Sequence, residues 1–229
     1  MAGKSLALLI QESANLIGDP LNAVFSTSVL TEWINFAIDD LSQHFPRAIT
    51  YTVSCVADQL EYDLETNFLS ILSVEYPDGE DPKRYLLHRS RTHPLFFLQP
   101  GYYDLIHTQD ASSSNPPVLI ISEKPSLGED IEIIYSAVHN SLSGPSDTTT
   151  IFDRHTHLIA LFTRWKAYQE LATTEGMDPD PVKLLSATVE VNAYRAERAY
   201  YDALRRSKLA ETNSGIISGW QMDKFDSIY

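Results

Sequence analysis

Between residues 4 and 17 the apolar side chains Leu6, Leu9, Ile10, Ala14 and Ile17, with Ser13, recur at intervals of three and four, the spacing of one face of an α-helix. Gly18 supplies a left-handed stop and Asp19-Pro20 prevents continuation. A second stripe, Leu30, Trp33, Ile34, Ala37, Ile38, Leu41 and Phe45, predicts a helix with Ser28 as its N-cap and Pro46 at its end. Each helix has one apolar face, so the two are expected to pack together.

From about residue 49 the period falls to two. Tyr51, Val53 and Cys55 alternate with Thr52 and Ser54, and Leu60, Tyr62 and Leu64 alternate with acidic residues, which is the pattern of half-buried strands. Further strands are predicted over residues 71–76, 84–88, 102–108, 118–122 and 131–137, separated by turn-rich segments such as Pro77-Asp78-Gly79 and Ser126-Leu127-Gly128. Short strands at this spacing point to a small antiparallel sandwich or barrel.

Helical spacing returns after a Ser-, Thr-, Gly- and Pro-rich loop over residues 140–150. Phe152, Leu158, Leu161, Phe162, Trp165, Tyr168 and Ala172 form the apolar face of a third helix closed by Gly176. In a fourth, Asp180 is the expected N-cap, Pro181 the first helical residue, and Leu185, Val189, Ala193, Ala196, Tyr200 and Leu204 the stripe, ending near Ser207. The fold class that follows is α+β: a helical bundle of about four helices with an inserted antiparallel β-sandwich or barrel-like domain and an extended C-terminal arm. Its expected segments are 1–48 and 141–207 for the helical domain, 49–140 for the insertion and 208–229 for the arm.

Composition narrows the function classes. With 229 residues, 43% of them hydrophobic, the chain can bury a sizeable core, and no apolar run approaches the roughly 18 residues of a membrane span, so a non-membrane, cytosolically made protein is expected. Cys55 is alone, which excludes an intrachain disulfide and a cysteine-based metal cluster and suggests a buried structural thiol. A net charge of -14 disfavours tight wrapping of DNA, which requires clustered cations. Residues 49–140 carry fourteen acidic against five basic side chains, so most of the excess lies in the β block. In contrast, Arg195, Arg198, Arg205, Arg206 and Lys208 make the end of the last helix basic. They either complement its dipole and pair with Glu197 and Asp202, or meet an acidic neighbouring subunit or another partner.

Candidate chemistry is sparse. Asp153-Arg154-His155-Thr156-His157 places two histidines two residues apart, but on a helix such residues point to different faces, so a helix N-terminus is favoured over a metal site. Glu75, Asp78, Glu80 and Asp81 surround a turn without the spacing of a calcium loop and read as a solvated acidic turn. No phosphate loop, zinc-protease helix or nucleophile elbow occurs. No catalytic residue, metal or cofactor is predicted. The tail after residue 211 lacks periodicity yet carries Ile216, Ile217, Trp220, Met222, Phe225, Ile228 and Tyr229, an apolar load unusual for a terminus.

Several segments taken in order carry a family likeness: Trp33-Ile34-Asn35 in the second helix, the strands Tyr62-Asp63-Leu64 and Ser73-Val74-Glu75-Tyr76, then Pro116-Pro117-Val118-Leu119-Ile120-Ile121. Ile131-Glu132-Ile133-Ile134-Tyr135, the helical pair with Trp165-Lys166-Ala167-Tyr168 and a Tyr- and Arg-rich last helix follow. This order and texture resembles the bacteriophage head-to-tail adaptor (connector) proteins. The resemblance implies a structural virion protein of the neck between capsid portal and tail, assembled in the host cytoplasm. It implies a ring of identical subunits, usually twelve, docked below the portal protein and extending the channel through which DNA passes transiently, with tail or nozzle proteins attached beneath. The C-terminal arm would reach the portal through Ile216, Ile217, Trp220, Met222, Phe225 and Tyr229. The β insertion is large compared with the smallest such adaptors.

Two other readings stay open. The tail could pack on its own domain. The whole protein could instead be a collar or tail-fibre attachment protein whose β module binds a ligand or protein through Phe96, Phe97, Tyr102 and Tyr103, although aromatics beside a strand are more often core. An enzyme ranks last, because no nucleophile, base and orienting group can be assembled from local motifs.

Overall fold

The computed structural model describes residues 3–106, 116–175 and 184–213. They fall into two compact units, one drawn from residues 1–45 and 139–229 and the other from residues 46–138. The first unit contains the helices α1 (Leu6–Ile17), α2 (Thr27–His44), α3 (Thr156–Glu175) and α4 (Leu184–Asn213). None of the described helices is long and apolar enough to cross a membrane.

The capping chemistry explains where the first two helices begin and end. Gly18 takes φ of +92°, and its N–H and that of Asp19 both donate to the Ala14 carbonyl, closing α1. The Asp19 carboxylate then accepts the N–H groups of Ala23, Val24 and Phe25 at 2.8, 2.9 and 3.0 Å, which fixes the turn into α2. These bonds, that from Phe25 foremost, hold its carboxyl below the usual range. The N-cap of α2 is Ser26, not the expected Ser28: the Ser26 side chain accepts from the Val29 N–H, and the Ser28 hydroxyl bonds to Ser26 instead.

The apolar stripes converge on one core of Leu6, Leu9, Leu30, Ile34, Ile38, Leu41, Leu158, Ile159, Phe162, Tyr200 and Leu204. Helix α3 packs against α1, α2 and α4. It therefore buries Ile159, Thr163 and Ala167 as well as Leu158 and Phe162, more than the single stripe expected. Phe152 is not part of this face: α3 starts only after a 3-10 turn at Asp153–His155, and Phe152 is 60% exposed before it. Helix α4 extends to Asn213, so residues 208–213, expected to open an extended arm, are helical. Gly176, Asp180 and Pro181, the predicted end of α3 and start of α4, lie outside the described residues.

The second unit contains β1 (Arg47–Ser54), β2 (Glu61–Asp63), β3 (Phe68–Glu75), β4 (Leu87–His88), β5 (Tyr102–Ile106), β6 (Val118–Ile121) and β7 (Asp130–Ala137). They form an antiparallel sheet in the order β1-β7-β3 and a four-stranded sheet in the order β2-β6-β5-β4. Alternate residues Ile131, Ile133, Tyr135 and Ala137 of β7 share a core with Tyr62, Val74, Leu119, Ile121 and Cys55. The α+β class is as expected, but the sheets do not close into a barrel, and β4 runs parallel to β5, so the second sheet is mixed. Cys55 is a buried free thiol whose pKa burial raises.

Candidate docking site

The acidic turn of the β unit is not simply solvated. Glu75 is buried, receives an ion pair from Lys83 Nζ at 2.6 Å, and accepts the Gly79 N–H across the turn. One oxygen each from Glu75, Asp78 and Glu132 lies within 4.8 Å of the others, yet Lys83 already supplies a cation there, 4.0 Å from Glu132. Among the aromatics considered for ligand binding, Phe96 is core, Phe97 is exposed, and Tyr102 and Tyr103 are half-buried, with the Arg89 guanidinium 3.7 Å from the Tyr102 ring centroid.

In the helical unit, polar contacts accumulate where α4 meets its neighbours. Tyr200 donates to Asp40. Lys208 Nζ donates to His44 Nδ1 at 2.7 Å, a contact that requires that nitrogen unprotonated. Nearer the end of α4, Glu211 Oε1 accepts from Arg154 Nη2 at 2.7 Å and lies 2.9 Å from His155 Nε2. His155 is 3% exposed and stacks on Phe45 with ring centroids 4.2 Å apart, whereas His157 is exposed and its Nδ1 lies 2.9 Å from the Arg154 carbonyl. The two histidines of the predicted helix start therefore do not converge.

Burial pushes both His44 and His155 below the usual histidine range; the Lys208 charge adds to the effect on His44, while Asp40 and Glu211 oppose it. A base whose folded pKa is depressed stabilises the fold above its unfolded value of about 6.5 and loses that contribution as pH falls through the folded value. The melting temperature of the protein is accordingly expected to drop between pH 7.5 and 5, and less steeply in a His44→Gln, His155→Gln double variant. Thermal denaturation followed by circular dichroism at several pH values checks this; identical slopes would contradict it. Asp19, Asp147 and Glu129, all held low by hydrogen bonds, act only in the more acidic carboxylate window.

The predicted basic positions all lie on α4 and are exposed. Arg198 forms a 3.9 Å ion pair with Asp202, Arg206 donates to the Asp202 carbonyl, and Lys208 is held by His44. Arg195 and Arg205 have no partner among the described residues. The predicted arm residues Ile216, Ile217, Trp220, Met222, Phe225 and Tyr229 lie outside the described residues.

A cleft of about 610 Å³ opens on the same unit, lined by Gly3 and by residues 148–154. Its floor forms because Ser5 bridges Thr148 and the Lys4 carbonyl accepts from the Thr149 N–H; a Cβ on Gly3 would fall 1.8 Å from the Thr149 carbonyl oxygen. Two polar staples that sequence reasoning missed hold the surrounding chain. Asn35 donates to the Leu142 carbonyl at 3.0 Å and accepts its N–H at 2.8 Å. The His139 N–H donates to Ser42 Oγ, and its ring nitrogens contact the Phe45 carbonyl and Thr150 Oγ1, each at 2.8 Å.

The helical unit presents exposed cations on α4 and an open cleft. The chain matches the family model described as SU10 adaptor protein over residues 4–218 and belongs to that family of bacteriophage structural adaptor proteins. The match runs through both units and past Asn213 to include Ile216 and Ile217. No curated protein matches the chain.

Proposed function

We propose that copies of this chain form the head-to-tail adaptor ring of a bacteriophage virion, docking below the portal protein by the C-terminal arm, extending the DNA channel and offering tail or nozzle proteins their attachment site. The observation that carries the reading is the adaptor-family match over residues 4–218, which spans both units and the start of the apolar tail. Exposed Arg195, Arg198, Arg205 and Arg206 suit contacts with the acidic β unit of a neighbouring subunit or with the portal. The net charge of -14 suits a channel through which DNA slides without being gripped. The role is structural and needs no cofactor.

A subunit of this charge repels its copies until a template fixes their geometry, so the purified protein is expected to be monomeric or weakly associated and to form a twelve-fold ring only on its portal. Light scattering of the protein alone and negative-stain imaging of it with the cognate portal test this. A stable portal-independent trimer, or a portal left bare, would overturn the reading.

A further inference from the structure

Helix α4 has two apolar faces. One is buried through Ala196, Tyr200 and Leu204. On the opposite side Val191, Tyr194, Arg198, Tyr201, Arg205 and Leu209 recur at intervals of three and four, and all six are exposed, Tyr194 to 63% and Leu209 to 54%. This second stripe is roughly 27 Å long at about 1.5 Å per residue. The Tyr201 ring rests on Trp165 at 5.8 Å, Arg198 has only its 3.9 Å contact with Asp202, and Arg205 has no ion pair among the described residues. Tyrosine, arginine and aliphatic side chains on one strip are the composition of an interface centre rather than of a solvated helix face. The β unit carries a complementary row. Strand β2 lies at the edge of its sheet, paired only with β6. Tyr62 and Leu64 turn inward, so Glu61, Asp63 and Glu65 stand together on the outer face, exposed and without an ion pair among the described residues. Arg198 and Arg205 are roughly 10 Å apart along the helix and the carboxylates follow at steps of about 7 Å, so both guanidinium groups can meet the row at once.

We propose that this outer face of α4, from Val191 to Leu209, docks on the Glu61, Asp63 and Glu65 row of a second copy of the chain. Charge selects the occupant: the same α4 face of another copy would set Arg198 and Arg205 against like charges, whereas the β2 edge offers only acids. Two different surfaces make the contact heterologous, so it passes from subunit to subunit and closes into a ring where the rotation allows. One helix face is small beside the roughly 1,200 Å² of a stable interface, so free subunits associate weakly through it until the portal aligns them. The repeat around a ring rests on the adaptor reading; the pairwise contact is measurable without it.

Sedimentation velocity of the full chain without portal, from micromolar to millimolar, reads that contact. The unmodified chain is expected to associate reversibly at the upper end. Arg198→Glu with Arg205→Glu, and separately Glu61→Lys with Asp63→Lys, should each weaken association about tenfold or more, because like charges then face one another. The lysine swap discriminates most sharply: it makes an acidic chain less negative, and would strengthen association if overall repulsion alone governed it. An equal mixture of the two swapped chains should associate again, each α4 face meeting the opposite charge on its neighbour. Tyr194→Ser, which alters no charge, should weaken association too and supplies the answer if a swap disturbs the fold, which circular dichroism reports. An unmodified chain that stays monomeric throughout would overturn the proposal. So would a folded lysine variant or Tyr194→Ser variant that associates undiminished, or a mixture no better than its components. On the cognate portal, negative-stain imaging should show rings from the unmodified chain and from the mixture, and none from either swap alone. Intact rings from either swap alone would remove the contact and leave the adaptor reading standing. A portal left bare by every form would remove the adaptor reading, while the mixing result still decides the contact.

Discussion

Replacing His139 with alanine is expected to destabilise the helical unit by about 3 kcal/mol, at the upper end of what single substitutions cost. The side chain is 2% exposed and joins three stretches of chain. The Phe45 carbonyl can only accept, so the nitrogen 2.8 Å from it, Nε2, carries the proton. Nδ1 is then the acceptor for the Thr150 hydroxyl. The backbone N–H of His139 donates to Ser42 Oγ, which itself donates to the Ile38 carbonyl at 2.7 Å, so the return of the chain from residue 138 is pinned to the last turn of α2. Alanine keeps the backbone bond but leaves the Phe45 carbonyl without this donor and opens a cavity beside Phe45. Denaturant unfolding of the variant gives the number directly, and a loss below about 1 kcal/mol would show that water or rearrangement replaces the imidazole.

That staple also shows where sequence reasoning stops. His139 lies 94 residues from Phe45, and Asn35 lies 107 from Leu142. A polar side chain at such separation carries no periodic signal, and neither residue could be singled out for this role, although Asn35 sits within the Trp33-Ile34-Asn35 segment that supported the family likeness. Apolar periodicity, by contrast, reports burial directly. Ile131, Ile133, Tyr135 and Ala137 alternate in the sequence and face one core, and Leu30, Ile34, Ala37, Ile38 and Leu41 do the same on a helix. Errors arose where two local signals competed or where a partner was remote. Ser26 and Ser28 are equally good caps by composition, and only the geometry of the entering chain chooses the first. Phe152 fits the helical stripe of α3 but precedes its start and stays exposed at the cleft. Glu75 reads as one of several turn carboxylates, but it is buried on the face of β3 opposite the core-facing Val74, where Lys83 and the Gly79 N–H meet it. Of the residues proposed for docking, those on α4 are exposed as cations should be, but exposure alone names no partner.

The largest functional effect is expected from the tail. Ending the chain after Asn213 removes Ile216, Ile217, Trp220, Met222, Phe225 and Tyr229 yet keeps Glu211 and its bonds to Arg154 and His155, so α4 retains its anchor. Among the described residues both cores are built from side chains that precede Asn213, and circular dichroism is expected to show an unchanged fold with a small loss of stability. If the arm is the portal contact, Trp220→Ala alone should weaken binding by about 2 kcal/mol, the effect of removing a buried aromatic anchor. Loss of the whole segment should leave only the weak electrostatic contribution of the α4 cations, which salt would then screen. The direct measurement is the capture of cognate portal by the full-length chain and by the chain ending at Asn213, side by side. The account predicts ring formation on the portal by the first and loss of portal binding by the second while it remains folded; undiminished portal binding by the well-folded shortened chain would contradict it.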